Sequence, residues 1–445
     1  MKYVERSCLL LRKKHLNKFY KKSRLERVEA LHSAGIISKV DYDLLKLDTL
    51  ELADEVADRM IENVIAKYEL PFGIAMNFLI DGDELLIPMV TEEPSVVAAS
   101  SNAGKMIALS GGFHTKMDTR LLIGQIALKN VPNPEDAAIA ISENEGEILE
   151  LANAAYPSIL KYGGGARGIQ VRLIDADTEY DTPQFLVVHL KVDTGEAMGA
   201  NMVNTMVEAL APYLEDISKG ESLMNILSNY STESLATATC VIEPEYLATK
   251  MMKGEDVRDR IVEATKFATA DPYRAVTHNK GLMNGIDAVL VATGNDWRAV
   301  EAGVHAYASR SGQYRSLTRW TTDANGNLRG ELTIPLSVGS VGGTLSIHPT
   351  AQFAYRLLKE PNAKELSRIL ASVGLAQNLA AVRALVTDGI QKGHMSLQAR
   401  ALAIRVGATD DLIEQVAANL QEADHMNSDT AKEILKELQN QSNSK

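Results

Sequence analysis

The sequence predicts an α+β fold: a large mixed helix/sheet domain, residues 1–118 and 229–387, interrupted by a small ferredoxin-like, non-Rossmann domain at 119–228 and followed by a helical flap at 388–445. Three observations predict it. A chain of 445 residues exceeds the ~250–300 at which a single core stops growing, so two or three cores are required. Between 120 and 229 the patterns run β-α-β-β-α, the order of a split βαβ unit with an antiparallel sheet. The last ~50 residues carry few large apolar side chains, as expected of a unit that docks loosely and can move.

Composition narrows the function. The balance of 46 basic to 58 acidic residues, net charge −12, argues against a general nucleic-acid binder. Two cysteines, Cys8 and Cys240, exclude a disulfide framework and a Cys-rich zinc site and fit a reducing compartment. The nine histidines form no His-Glu-x-x-His pair, and no metal is expected. No apolar run approaches the ~18–20 residues needed to span a bilayer. A cytoplasmic enzyme or a large interaction protein is expected.

The chain begins with a basic arm, Lys2, Arg6, Arg12, Lys13, Lys14, Lys18, Lys21, Lys22 and Arg24 against Glu5. Cys8-Leu9-Leu10-Leu11 is too short for a signal-peptide apolar region, so a mobile, solvated arm is expected. From Asp48 the pattern turns helical, with Leu52, Val56, Met60 and Val64 forming a core-facing stripe. Strands over 72–80 and 84–90 flank Asp81-Gly82, a hairpin turn. Pro94 suits the first position of a helix, making Glu93 its cap at the positive end of the helix dipole. As a cap Glu93 is ionised and exposed; as a general acid it must be buried enough to keep its proton. The small face of Ala98, Ala99, Ala103 and Gly104 permits close backbone approach.

In the small domain, strands are expected over 121–128, 169–175 and 185–192, and helices over 134–154 and 197–217. Gly163-Gly164-Gly165-Ala166-Arg167-Gly168 satisfies G-x-G-x-x-G but follows a helix and enters a strand, so the dinucleotide fingerprint is rejected. Glu196-Ala197-Met198-Gly199-Ala200-Asn201 does follow a strand and open a helix. It reads as tight packing, or as a helix start whose free N–H groups meet a pyrophosphate, with Glu196 near the ribose.

Asp271 to Gly285 reads as a polar loop holding Arg274, Lys280 and Asn284, followed by a strand over 286–293 and a loop with Asp296 at a helix start. Taken alone, Asp296 is an N-cap and Lys280 a solvated lysine, but the two loops can bring them together. A strand pair surrounds Asn325-Gly326, a glycine-rich loop spans 337–344, and helices are expected over 364–373 and 375–387. Residues 388–395 break the pattern, placing His394 at the hinge of three short polar helices, either as a loop residue or as a proton donor that arrives late.

Glu93 in Glu92-Glu93-Pro94-Ser95, Glu196-Ala197-Met198-Gly199-Ala200-Asn201, Asp271-Pro272-Tyr273-Arg274 with Thr277-His278-Asn279-Lys280-Gly281, Gly294-Asn295-Asp296-Trp297-Arg298 and Gly393-His394-Met395 together resemble the bacterial-type (class II) 3-hydroxy-3-methylglutaryl-coenzyme A reductases. The resemblance runs in order from about 20 to 440. It implies four-electron reduction of HMG-CoA to mevalonate and free coenzyme A, in the mevalonate route to isoprenoids, with two NADPH or NADH used in succession. It implies that Lys280 stabilises the developing oxyanion, Asp296 keeps that lysine charged, Glu93 donates a proton at the aldehyde stage and His394 protonates the departing thiolate. Ser95, Arg274, Thr277 and Asn284 become candidates for the hydroxymethylglutaryl group. The residues from Glu196 to Asn201, with Asn229, become candidates for the cofactor, held without a Rossmann fold. A homodimer or higher oligomer with active sites at the dimer interface is implied.

Departures from the family pattern are Glu196, where many relatives have Asp, and Gln398, where some have a second histidine. The family's basic residue for coenzyme A falls among Lys21, Lys22 and Arg24. The competing functions are a CoA-thioester hydrolase or lyase, and a non-enzymatic CoA-binding scaffold. No Ser-His-Asp or Cys-His nucleophile arrangement resembles the hydrolase.

Overall fold

The computed structural model describes residues 16–387, 389–409 and 411–443; Cys8, Asp388 and the basic residues before Leu16 lie outside them. From Leu16 on, the basic segment is folded rather than free. A short 3-10 turn, Phe19–Lys21, buries Phe19, and Ser23 and Glu26 form a reciprocal capping box that starts α1 (Arg24–Ser33). With α2 (Lys39–Leu47) this segment packs Val28, Leu31, Ile37 and Tyr42 against Phe353 and Leu357 from far along the chain. The helix expected from Asp48 shrinks to α3 (Asp54–Met60), and its intended stripe is only half-buried.

β1 (Phe72–Ile80) and β2 (Asp83–Val90) form the hairpin expected at Asp81-Gly82, where both turn residues have positive φ, 51° and 92°. Pro88 is tolerated because β2 is an edge strand. The next helix, α4 (Val96–Leu109), starts later than Pro94 suggests: Ser95 is its N-cap, so Glu93 is not. Gly104 on α4 meets the carbonyls of Met76 and Asn77, where an added Cβ would lie 3.3 and 3.2 Å away, so that part of the small face does admit β1. β3 (Phe113–Lys116) then pairs parallel to β1 through Ile80 and Phe113.

A second core follows. β4 (Leu122–Lys129) leads to α5 (Pro134–Glu143) and α6 (Glu145–Ala155), two helices where one was expected, broken at Asn144. β5 (Gly165–Ile174), β6 (Phe185–Asp193), α7 (Ala200–Ser218) and β7 (Glu221–Ser228) complete a four-stranded sheet in the order β5-β6-β4-β7, every pair antiparallel. Its inner face, Leu122, Ile126, Leu186, Val188 and Leu190, packs on Val203, Val207 and Leu210 of α7. The Gly163 to Gly168 run enters β5 from a 3-10 turn, the context on which the fingerprint was rejected. α7 starts at Ala200, three residues later than expected, with Gly199 as N-cap at φ 87°.

The chain then returns to the first sheet with β8 (Leu235–Ile242), passes through the short α8 (Pro244–Leu247) and α9 (Gly254–Ala270), and reaches α10 (Pro272–Ala292). The polar loop and strand expected over 271–293 are this one 21-residue helix. Asp271 caps it, accepting from the N–H of Tyr273 and Arg274, and Pro272 occupies its first turn. Its apolar C-terminal half is buried nearly all round, so no amphipathic stripe distinguishes it from a buried strand.

After α11 (Trp297–Ala308), β9 (Thr318–Thr322) and β10 (Leu328–Pro335) form the strand pair expected around Asn325-Gly326. The six-stranded sheet runs β2-β1-β3-β8-β10-β9. α12 (Pro349–Leu357) leads to α13 (Ala363–Val386), one 24-residue helix where a break at Gly374 was expected. Gly374 does not end the helix; it admits another. An added Cβ there would lie 2.8 Å from Ile286 of α10, while one at Gly285 of α10 would lie 3.0 Å from Val373 and 3.1 Å from Gln377. α13 is also long and apolar enough for a membrane span, contrary to the expectation of no such run, but 67% of that window is buried inside the protein, as in a core helix.

Residues 389–443 form α14 (Ile390–Arg405), α15 (Asp411–Glu422) and α16 (Ser428–Asn443), the three helices expected, around a small alanine-rich core. Gly393 and His394 belong to α14 rather than to a breaking loop; the side chain of His394 lies outside the described residues.

Two junctions yield predictions. Glu196, before α7, accepts from Ser340 Oγ at 2.6 Å and from the Ala363 N–H at 2.7 Å, so it clasps the second core to the start of α13. Glu196→Ala should lower unfolding stability by about 1 kcal/mol, the typical value of a lost helix cap, as measured by denaturant midpoint. His278 of α10 is buried against Thr318 (2.6 Å) and Asn378 (3.0 Å), and burial, with Arg274 nearby, pushes its imidazole down to about 3. The unfolded chain therefore takes this proton first, so the histidine's contribution is full above its ordinary 6.5 and is lost as pH falls from there toward 3. Between pH 6 and 5, wild-type stability should fall up to about 1.4 kcal/mol per pH unit more steeply than that of His278→Asn. Equal slopes in urea titrations would contradict a neutral buried imidazole.

Candidate active site

The loop after β2 and the exposed side of α10 bring together Glu93, Lys280 and Asn284. Thr91 Oγ1 accepts from the Glu93 N–H at 3.1 Å and holds the loop. Glu93 Oε2 then receives Lys280 Nζ at 2.9 Å and Asn284 Nδ2 at 3.2 Å. Helical spacing puts Thr277, Lys280 and Asn284 on one side of α10. The pair is half open, with the Glu93 side chain 37% and that of Lys280 59% exposed. An ammonium and an amide N–H on one carboxylate oxygen form a polar notch in which a carbonyl or alkoxide oxygen could replace the carboxylate as acceptor.

Asp296 has another place. It caps α11 by accepting from the Ala299 N–H at 3.1 Å and lies 3.8 Å from Arg298 Nε, so the plain reading of its position describes its contacts. The expected meeting of the loop residues is instead between Lys280 and Glu93.

Ser95 takes φ 75°, a left-handed backbone that is uncommon without glycine and costs about 1 kcal/mol. It lines a long groove with Asn102, Lys105, Val291 and His348. Of the three N-terminal basic candidates, Arg24 also lines that groove, though it donates to the Leu45 carbonyl at 2.9 Å and pairs with Asp48 at 3.3 Å. Arg274, in the first turn of α10, is half-buried, and burial lowers its guanidinium from the usual range. Its side chain has no hydrogen-bond partner among the described residues.

The stretch from Glu196 to Asn201 is a packed junction. Arg120, which sequence reasoning missed, is buried there and donates to the carbonyls of Gly195 (2.6 Å), Ala197 (2.7 Å) and Val338 (2.5 Å). Ala197 bridges Val341, and an added Cβ at Gly339 would lie 2.5 Å from the Met198 nitrogen. Glu196 points at Ser340 and Ala363. Ala200 and Asn201 open α7, whose first N–H groups have no partner within the helix. Met198 and Asn229 line one small cavity with Ser231, Ala299 and Ser337, and Ser337 Oγ is buried there without a hydrogen-bond partner among the described residues. No local pattern marked Arg120; its signal is only its position where the chain enters the second core.

Residues 22–399 match the family model for hydroxymethylglutaryl-coenzyme A reductase. A 3-hydroxy-3-methylglutaryl-coenzyme A reductase of Archaeoglobus fulgidus is 46% identical over 420 residues, 94% of each chain. A probable one of Borreliella burgdorferi is 33% identical over 379 residues, 85% of this chain and 84% of that one. A structure of the class II 3-hydroxy-3-methylglutaryl-CoA reductase from Streptococcus pneumoniae, bound to NADPH in open conformations, superimposes with TM-score 0.81 at 50% identity, covering 84% of this chain and 100% of that one. With the motifs of the notch, the groove and the junction all inside the matched region, the chain belongs to the class II hydroxymethylglutaryl-coenzyme A reductases.

Proposed function

We propose that the chain reduces HMG-CoA to mevalonate and free coenzyme A through two successive hydride transfers from NAD(P)H, with Lys280, Glu93 and Asn284 at the reacting carbonyl. The observation that carries this reading is the convergence of Lys280 Nζ and Asn284 Nδ2 on Glu93 Oε2. Lys280 donates to the thioester oxygen and stabilises the negative charge that develops there. Asn284 supplies a second donor to the same position. Glu93, already bonded to both, gives a proton to the oxygen at the aldehyde stage. Arg274, half-buried and without a side-chain partner among the described residues, is suited to fork onto the free carboxylate of the hydroxymethylglutaryl group, with Thr277 one turn along the helix and Ser95 joining them on the family resemblance alone. Asp296 stays in the scheme on the family resemblance alone, since its carboxylate holds the start of α11. His394 is assigned the departing thiolate on the same ground.

The cofactor reading fits what the junction leaves free. The first N–H groups of α7, together with the exposed Asn229, offer donors to a dinucleotide. A bound nicotinamide supplies the hydrides. With its carboxylate on Ser340 and Ala363, Glu196 does not stand against a 2′-phosphate, which supports use of NADPH as well as NADH. On this reading residues 119–228 are the cofactor domain and 388–445 a flap that carries His394 to the site. A cytoplasmic homodimer with sites at its interface belongs to the same reading, and the exposed Ile61, Ile65 and Tyr68 ahead of β1 suit such an interface.

Absorbance-monitored oxidation of NADH and of NADPH, separately, with HMG-CoA tests the reaction. Turnover with production of mevalonate is expected; thiol release without cofactor oxidation would instead mark a hydrolase. Lys280→Ala should lower kcat by about 10²–10⁴-fold, as expected for loss of an oxyanion donor, and Glu93→Gln by about 10²-fold or more. Near-normal rates in both variants would remove the notch from the mechanism.

A further inference from the structure

The two cores are joined through a buried cation that the proposed reaction does not use. Arg120 lies on the connection between β3 and β4 and is 5% exposed. One arm of its guanidinium donates to Thr194 Oγ1 at 3.2 Å and to the Gly195 carbonyl at 2.6 Å. The other arm donates to the carbonyls of Ala197, at 2.7 Å, and Val338, at 2.5 Å. All four acceptors are uncharged, so the guanidinium serves here as a flat fork of donors rather than as half of an ion pair. Three of them belong to the turn between β6 and α7, and the fourth to the glycine-rich loop that follows β10. Thr194 Oγ1 also donates to the Ala197 carbonyl at 2.9 Å.

The turn before α7 has little other freedom. The Glu196 carbonyl, between the two that Arg120 takes, accepts from the Ser340 N–H at 2.8 Å, so three consecutive carbonyls are bonded either to Arg120 or to the glycine-rich loop. That loop is held in turn at Gly339, whose N–H donates to Asn295 Oδ1 at 2.9 Å and whose carbonyl accepts from the Tyr355 hydroxyl at 2.5 Å. Asn295 sits in the turn that follows α10, the helix of Lys280. We propose that Arg120 is a positioning residue for the dinucleotide: it fastens the start of α7 to the glycine-rich loop, and through Asn295 to the end of α10, so that hydride donor and reacting carbonyl are held by one bonded frame. The inference rests on the reading that the dinucleotide is met at the start of α7 and the carbonyl at Lys280. Misplacing reacting groups by about 1 Å costs on the order of 10²-fold in rate. A lysine in place of Arg120 keeps the charge but presents its donors from a single nitrogen, so it does not reproduce the fork that bridges the turn and the loop.

The test uses the full-length chain. Arg120→Lys should lower kcat about tenfold or more and raise the KM for NAD(P)H at least about threefold, with the KM for HMG-CoA within about twofold of wild type. Loss of folded molecules lowers kcat alone, so a lower kcat with both KM values unchanged shows a structural role only and overturns the proposal. A near-normal kcat overturns it too, as does a KM for HMG-CoA that rises as much as that for NAD(P)H. If Arg120→Lys does not fold, Thr194→Val decides, since it removes one acceptor of Arg120 and the hydroxyl that donates to Ala197. It should raise the KM for NAD(P)H about twofold or more and leave that for HMG-CoA in place; two unchanged KM values overturn the proposal. Titration of NADPH by its own fluorescence separates the positioning from the reaction. Should wild type not turn over, yet bind NADPH at least about threefold more tightly than the variant, the reaction proposed above fails and the role of Arg120 stands. Equal binding without turnover removes both.

Discussion

The notch formed by Glu93, Lys280 and Asn284 depends on the crossing of α10 and α13. Gly285 on one helix and Gly374 on the other remove the Cβ atoms that would hold the axes apart, so Val373, Gln377 and Ile286 fill the space between them. The side of α10 turned away from this contact carries Thr277, Lys280, Asn284 and Asp287. A packed core does not deform continuously, so a methyl at either glycine would displace one helix against the sheet and move Lys280 relative to Glu93. Since Glu93 sits on a loop held by β2, the 2.9 Å contact measures the distance between two separately anchored elements. The buried cluster of His278, Asn378, Thr318 and Trp320 ties α10, α13 and β9 together at a nearby level, so the crossing is fixed by directional bonds as well as by volume.

Charge is arranged by depth around this crossing. At the notch, Lys280 and Glu93 are both partly solvated, where an ion pair gains little. About two helical turns further along α10, Asp287 Oδ1 is buried, where an ionised carboxylate carries a heavy penalty. Burial, and then Glu301, push the Asp287 carboxyl well above the usual carboxylate range.

Much of this was legible in the residues. Asp81-Gly82 fixed a hairpin because only a turn with two positive φ values joins those strands, and the context of Gly163 to Gly168 ruled out a Rossmann turn. The motif residues Glu93, Lys280 and Asn284 do converge. The region 271–293 misled because a fully buried helix has no polar face, and its apolar run has the length of a strand. Even there Asp271-Pro272 carried the signature of a helix start, a capping side chain followed by proline in the first turn. Gly374 looked like a breaker because a close helix crossing and a helix end use glycine for different reasons that a single sequence does not separate. Pro94 misplaced the start of α4 because the chain needs a left-handed residue at Ser95 before the helix can begin. Arg120 was invisible because its partners are backbone carbonyls brought together only by the fold.

The junction at Glu196 shows how the same motif can be read twice. Its carbonyls at Gly195 and Ala197 are taken by Arg120, its acid by Ser340 and Ala363, and its glycines by close approach, so the plain reading as tight packing describes most of its atoms. What remains is the set of N–H groups at the first turn of α7, which have no partner within the helix. Backbone donors at a helix start favour anions in general. In this loop the contacts of Arg120 and Glu196 fix the side chains inward, and so hold the start of α7 against the first core.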